Sequence, residues 1–159
     1  RQLRPLEEQC LGLVARCERC GDQQFQPLMK LRGWPPCPCS QGQGLWSVSG
    51  PLWIGPLQDG EFLTALQRDP FLKHADLIGS SSRRLLRRLA ADPGSPPTVW
   101  PTAELAKRLG CSGPPPLDEL VQALRCKGHQ AFASALMAGQ IRTNAVLPDL
   151  LQTCSEQAP

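Results

Sequence analysis

The sequence predicts an α+β protein in which a cysteine-organised module attached to a small sheet precedes a winged-helix-like α+β unit. Three observations predict it. Four of the eight cysteines crowd together as Cys17-Glu-Arg-Cys20 and Cys37-Pro-Cys39. Short β-prone apolar runs flank that cluster on both sides. Beyond residue 58, apolar stripes at helical spacing alternate with Pro- and Gly-rich breaks.

Taken in order, Leu11-Gly-Leu-Val-Ala15 reads as a strand feeding the cysteine cluster. Residues 17–44 are rich in Cys, Pro and Gly and are expected to lack long regular elements. Leu45-Trp-Ser-Val48 and Leu52-Trp-Ile54 read as two short strands broken at Gly50-Pro51, because proline removes a ladder hydrogen bond. Asp59 is placed to cap a helix carrying Phe62, Ala65 and Leu66 on one side, ending near Asp69-Pro70. A second helix is expected from about Ser80–Ser82 to Ala91, and Asp92-Pro-Gly-Ser-Pro-Pro97 is a clear break. Thr102 is expected to cap a short helix with Leu105 and Leu109 on one face, closed by Gly110. After Gly113-Pro-Pro-Pro116, a helix over 117–127 carries Leu117, Leu120, Val121 and Leu124 and stops at Gly128. Those two helices, their Gly/Pro turn and the strand-like Ala131-Phe132 make up the winged-helix-like unit.

The chain has 159 residues, enough for one ordinary domain or two small ones with a real core. It starts at Arg1 without an initiator Met or a signal-type run, and is read as a fragment. Nothing approaches the roughly 18 consecutive apolar residues of a membrane span, so no membrane partner is expected. The net charge of +3, from 17 basic and 14 acidic residues, neither demands nor excludes nucleic acid. A disulfide-rich secreted domain would be shorter and more evenly studded with cysteine. The clustering favours a reducing, intracellular setting: nuclear, cytoplasmic or mitochondrial.

Four thiolates close a tetrahedral zinc site when two knuckles face each other, and Cys17, Cys20, Cys37 and Cys39 are the candidate ligands. The first pair has the usual two-residue gap, with Gly21 placed to relieve its turn. The second pair is less regular. Free thiols and a redox Cys-x-x-Cys are the alternatives. A catalytic zinc is disfavoured, since neither His74 nor His129 lies near.

In Ser80-Ser-Ser-Arg-Arg-Leu-Leu-Arg-Arg-Leu89, a rotation of about 100° per residue puts Arg83, Arg84, Arg87 and Arg88 on an arc of about 140°, with the leucines opposite. Such a face suits phosphate oxygens, which Arg binds bidentately with release of counterions. A solvated or ion-pairing face is the plainer reading. Lys127 and Arg142 are further RNA-contact candidates, and Lys73, Lys107, Arg108 and Arg125 extend the same patch. With four Phe, four Trp and no Tyr, a broad base-stacking platform is not expected. Asp118 and Glu119 argue against the 117–127 helix lying in a DNA major groove. His129 reads as structural or phosphate-facing. Glycine-rich dinucleotide, Walker, His-Glu-x-x-His and nucleophile-elbow motifs are absent, and Asp69-Pro-Phe71 reads as a helix stop.

With Cys-x-x-Cys-Gly, a second cysteine pair, then Gly50-Pro-Leu-Trp-Ile-Gly-Pro-Leu57 followed by Asp59 and Phe62, the chain resembles the tRNA (guanine-N2)-dimethyltransferase family. Gly128-His-Gln-Ala131 and Ile141-Arg-Thr-Asn-Ala145 fit that family's later stretches, while Phe132-Ala-Ser-Ala135 departs from its Ser-x-Thr-His portion. The resemblance implies that a complete relative methylates a tRNA guanine amine with S-adenosylmethionine on a Rossmann-like domain whose cofactor and catalytic motifs lie outside this chain. Residues 1–57 would then be the end of the methyltransferase sheet with its zinc insertion at 17–39. Residues 58–152 would be the tRNA-binding domain, and 153–159 a disordered tail. Trp53 is expected to be a packed anchor between the two units. A non-catalytic RNA-binding or adaptor module and a protein-interaction module are the alternatives.

Overall fold

The computed structural model describes residues 5–37, 39, 45–70, 79–92 and 94–158. After a short helix α1 (Pro5–Gln9), strand β1 (Leu11–Cys17) lies at the centre of an antiparallel sheet, between β2 (Gln23–Pro27) and β3 (Trp46–Trp53). Strand β2 has one strongly β-prone residue, Phe25, among glutamines, so the sequence carries no alternation to reveal it.

The two short strands expected around Gly50-Pro51 are one continuous strand. Gly12 pairs with Leu52 and Val14 with Ser49, so Gly50 and Pro51 together oppose Leu13 alone. This β-bulge absorbs the residue that cannot donate, and β3 is an edge strand where the missing N–H is tolerated. Gly50 has φ +140°, and a side chain there would strike Leu13 and the Gly12 carbonyl. At Gly55 a Cβ would collide with Cys10 Sγ. The glycines of the octapeptide are thus close-approach points on either side of Trp53-Ile54. Trp53 itself is 46 % exposed, its indole N–H donating to the Pro56 carbonyl at 2.8 Å. The packed residue of the pair is Ile54, which reaches back onto Gly12.

Helix α2 (Gly60–Arg68) is capped as expected, Asp59 accepting from the Phe62 N–H at 3.0 Å. It packs on α3 (Ser80–Ala91). Then follow β4 (Val99–Pro101), α4 (Thr102–Leu109), α5 (Leu117–Cys126), β5 (Ala131–Ala133), β6 (Gln140–Thr143) and α6 (Leu147–Gln157). The second sheet is antiparallel in the order β4-β6-β5. Thr102 does not cap α4. Pro101, extended because it ends β4, takes that place, and Thr102 donates from both its N–H and its hydroxyl to the Gly139 carbonyl, tying the β5–β6 turn to the helix.

The core joins Trp100, Leu105, Leu120, Leu124, Ile141 and Leu150 with their neighbours, and Cys20, just after β1, packs against it. Each fully buried leucine contributes about 1.5–3 kcal/mol relative to exposure. The segment from 153, expected to be disordered, is the end of α6. Thr153 and Cys154 are fully buried there, Cys154 on the stripe of Leu147, Leu150 and Leu151. Among the described residues no helix is long and apolar enough to cross a membrane.

Candidate metal centre and basic surface

Strand β1 ends at Cys17 and the chain turns at once. Gly21, at φ +74°, donates to the Cys17 carbonyl at 2.8 Å, and Cys17 donates to the Asp22 carbonyl at 2.8 Å. This knuckle presents Cys17 and Cys20 to Cys37 and Cys39. The Sγ atoms of Cys17 and Cys39 lie 3.5 Å apart, those of Cys20 and Cys37 3.4 Å, and all four fall within 4.8 Å of one another. These spacings are far too long for disulfides, and none of the cysteines is in one. They bracket the roughly 3.8 Å that a tetrahedron with Zn–S of about 2.3 Å requires. The four sequence-predicted ligands are thus brought together, and the donor set fits a closed structural zinc site.

Burial works against ionising Cys17, but the backbone N–H groups of Cys20 and Arg19 overcome it and bring that thiol down to about 6. Burial pushes the Cys37 and Cys20 thiols up. Asp22, 1 % exposed, donates its N–H to Cys20 Sγ, while its carboxylate accepts from Gln23 and from the N–H of Leu147 at 3.1 Å. The first residue of α6 is therefore capped by a side chain from the cysteine knuckle. Arg108 on α4 donates to the Cys20 carbonyl, and Arg16, Arg19 and Arg108 line an open cleft of about 730 Å³ beside the knuckle.

The arginine face of α3 divides. Arg84 and Arg87 are exposed, with no partner among the described residues, and Arg83 is half-buried. Arg88, although exposed, is engaged: it donates to the carbonyls of Ala135, at 2.9 Å, and Leu136. Lys127 is held by Thr153 at 3.0 Å and Glu156 at 2.6 Å. Arg125 donates to the Ala131 carbonyl and covers the Phe132 ring, and Lys107 is exposed. His129 stands 3.6 Å from Asp149. Lys73, His74 and the Phe71 of Asp69-Pro-Phe71 lie outside the described residues.

Arg142 cannot contact RNA. It is 3 % exposed, and its Nε donates to Asp92 Oδ1 at 2.7 Å in a pair closed to solvent. Asp92, read from sequence as the start of a break, is a buried hub. Its Oδ1 also accepts from the Gly94 N–H at 2.8 Å, and its Oδ2 from the Ser134 hydroxyl at 2.8 Å and the Ala135 N–H at 3.1 Å. Gln58 closes the hub by donating to the Asp92 carbonyl at 2.7 Å.

A family model for N2,N2-dimethylguanosine tRNA methyltransferase matches residues 6–154. The chain belongs to that family. Among its curated relatives are tRNA (guanine(26)-N(2))-dimethyltransferases. That of Methanosarcina mazei is 26% identical over 140 residues, covering 88% of this chain and 35% of the relative. That of Schizosaccharomyces pombe is 31% identical over 158 residues, covering 88% and 28%. The chain thus spans about a third of the length of the family members it matches. The Pyrococcus horikoshii Trm1 complex with S-adenosyl-L-methionine shares its fold, with a TM-score of 0.59 and 20% identity over 91% of this chain and 35% of that one.

Proposed function

We propose that this chain is the zinc-bearing, tRNA-gripping part of an S-adenosylmethionine-dependent tRNA (guanine-N2)-dimethyltransferase, whose cofactor and catalytic residues lie elsewhere in a longer protein. The family match across residues 6–154 carries this reading. In this reading the cysteine-bearing sheet, up to residue 57, ends a methyltransferase domain, and residues from 58 onward bind tRNA. The order β4-α4-α5-β5-β6 with strands arranged β4-β6-β5 supports a winged-helix reading of the second part. Eight cysteines with no disulfide among them suit a reducing compartment inside the cell.

Cys17, Cys20, Cys37 and Cys39 would hold the zinc, which supplies folding energy to a turn-rich segment. Four thiolates around a divalent cation carry a net charge of about −2; Arg16 and Arg19 stand beside them to offset it, while Arg108 is paired with Glu104 and Glu18 lines the same cleft. Arg84 and Arg87 remain available for phosphates, with Lys107 a further exposed cation. A target guanine must leave its stack to be methylated, and grip on the surrounding RNA offsets that cost. The departure of Phe132-Ala-Ser-Ala135 from the family pattern favours, as a second reading, a non-catalytic RNA-binding module.

Full-length protein incubated with tRNA and labelled S-adenosylmethionine should place label on a guanine; tRNA binding without label would select the second reading. Within the chain, Arg84→Glu with Arg87→Glu should weaken tRNA binding and lower the slope of log K against log salt by about 0.7–0.9 for each phosphate that is no longer neutralised. An unchanged affinity and slope would remove α3 from the interface.

A further inference from the structure

Strand β2 and the segment following β6 face each other across a cavity of about 330 Å³, where the cysteine-bearing sheet meets the C-terminal sheet. That volume is at the small end of ligand sites, about 300–1,000 Å³, and junctions between units are where such sites gather. No charged side chain is among the lining residues. A phosphate, a carboxylate or a metal ion would be desolvated there without a counter-charge.

The cavity offers apolar rings and neutral hydrogen-bonding groups instead. Phe25 contributes an aromatic ring and Pro96 an apolar one, beside the Thr98 hydroxyl. Gln23 and Gln24 also line it, and their carboxamides, each donor and acceptor, have no partner among the described residues. Asn144 is oriented by accepting the Gln130 N–H on Oδ1 at 2.8 Å, which leaves its two amide hydrogens available. Within Ile141–Ala145 the neighbours Thr143 and Ala145 are buried and Arg142 turns in to Asp92; Asn144 alone is exposed. This family-like stretch therefore sends one polar residue outward, and that residue lines the cavity.

A flat, uncharged group that stacks on one face and reads donors and acceptors along its edge is a nucleobase. We propose that the cavity receives an unstacked nucleobase of the bound RNA, with Phe25 against its face and Asn144 and the β2 glutamines at its edge. This rests on the tRNA-binding reading above and adds a base-recognition point that the cationic surface does not supply.

The test uses the whole chain and a set of tRNA transcripts, each with one abasic nucleotide, together with free nucleosides titrated by NMR. One abasic position is expected to weaken binding to the unmodified chain by about tenfold, the loss of a single base–aromatic stack. Phe25→Leu, which retains apolar volume, should bind intact tRNA about tenfold more weakly and become indifferent to that position. Asn144→Asp, which keeps the acceptor for Gln130, should reduce the penalty at the same position and at no other. A scan in which the unmodified chain and Phe25→Leu respond alike at every position overturns the proposal. A free nucleoside that saturates the cavity as tightly as tRNA overturns the RNA source and assigns a small ligand. Absence of any tRNA binding by the unmodified chain defeats the underlying reading as well, an outcome distinct from binding that ignores the abasic positions.

Discussion

Cys37→Ser is expected to abolish one-to-one zinc binding and to lower the thermal transition of the chain sharply. Cys37 is 2 % exposed and its sulfur faces Cys20 at 3.4 Å, so the serine would remove a ligand from an enclosed set. Between residues 5 and 57 the buried apolar side chains are few: Ala15, Cys17 and Cys37 among the described residues. That core is too small to order a three-stranded sheet together with the irregular residues 31–37. A structural zinc supplies on the order of 10 kcal/mol of folding free energy, more than a small domain's whole margin. Elemental analysis and near-UV circular dichroism, the latter sensitive to the Trp34–Trp46 pair at 6.5 Å, should change together. Cys126→Ser, at an exposed thiol outside the cluster, is the control and should alter neither. Full zinc content and an unchanged melting curve in Cys37→Ser would show that no metal at these cysteines holds the unit together.

The second large effect lies at the hub. Asp92→Ala should destabilise the chain by about 3–5 kcal/mol, because it leaves the buried Arg142 guanidinium without its counter-charge. Arg142→Met should cost a similar amount, and Asp92→Ala combined with Arg142→Met much less than the sum, since neither charge is then stranded. Denaturant titration at neutral pH measures all three, and strict additivity would show that the pair does not act as a unit. Burial alone would raise the Asp92 carboxyl, but the Gly94 N–H, the Ser134 hydroxyl and the Arg142 guanidinium outweigh it and hold the group below its ordinary range. With the folded value depressed, its stabilisation is fully present above the unfolded carboxyl value of about 3.9 and is lost as pH falls through the lower folded value. The acid limb of a stability–pH curve should therefore flatten in Asp92→Ala.

What is legible in the sequence follows from where the determining interactions lie. Asp59 and the stripes of α2, α3 and α5 are local features, and their helices form where periodicity and capping place them. The four clustered cysteines are legible because their chemistry leaves few other uses for such spacing. Helix α6 is legible in principle, since Leu147, Leu150, Leu151 and Cys154 hold helical spacing and Pro148 and Asp149 stand in its first turn; what the local sequence lacks is a capping side chain at Val146, because the cap comes from Asp22. Strand β2 exists because β1 pairs with it, a relation that its glutamines do not encode. Arg142 and Asp92 lie 50 residues apart, and each alone reads as a surface charge; only the tertiary fold makes them a buried pair. Helical geometry puts Arg88 on the outer face, but it says nothing of the carbonyls that the β5–β6 loop brings within its reach.

Asp22 also bears on how such a protein can be divided and inherited. A proline-rich joint near residue 57 looks like a place to cut, yet the acid that caps the last helix sits 125 residues before it, inside the cysteine knuckle. Transplanted alone, the C-terminal helices would lose that cap and uncover the core surface on which Cys20 rests. A gene fusion or splice variant that separated the knuckle from the final helix would therefore break a contact that both depend on.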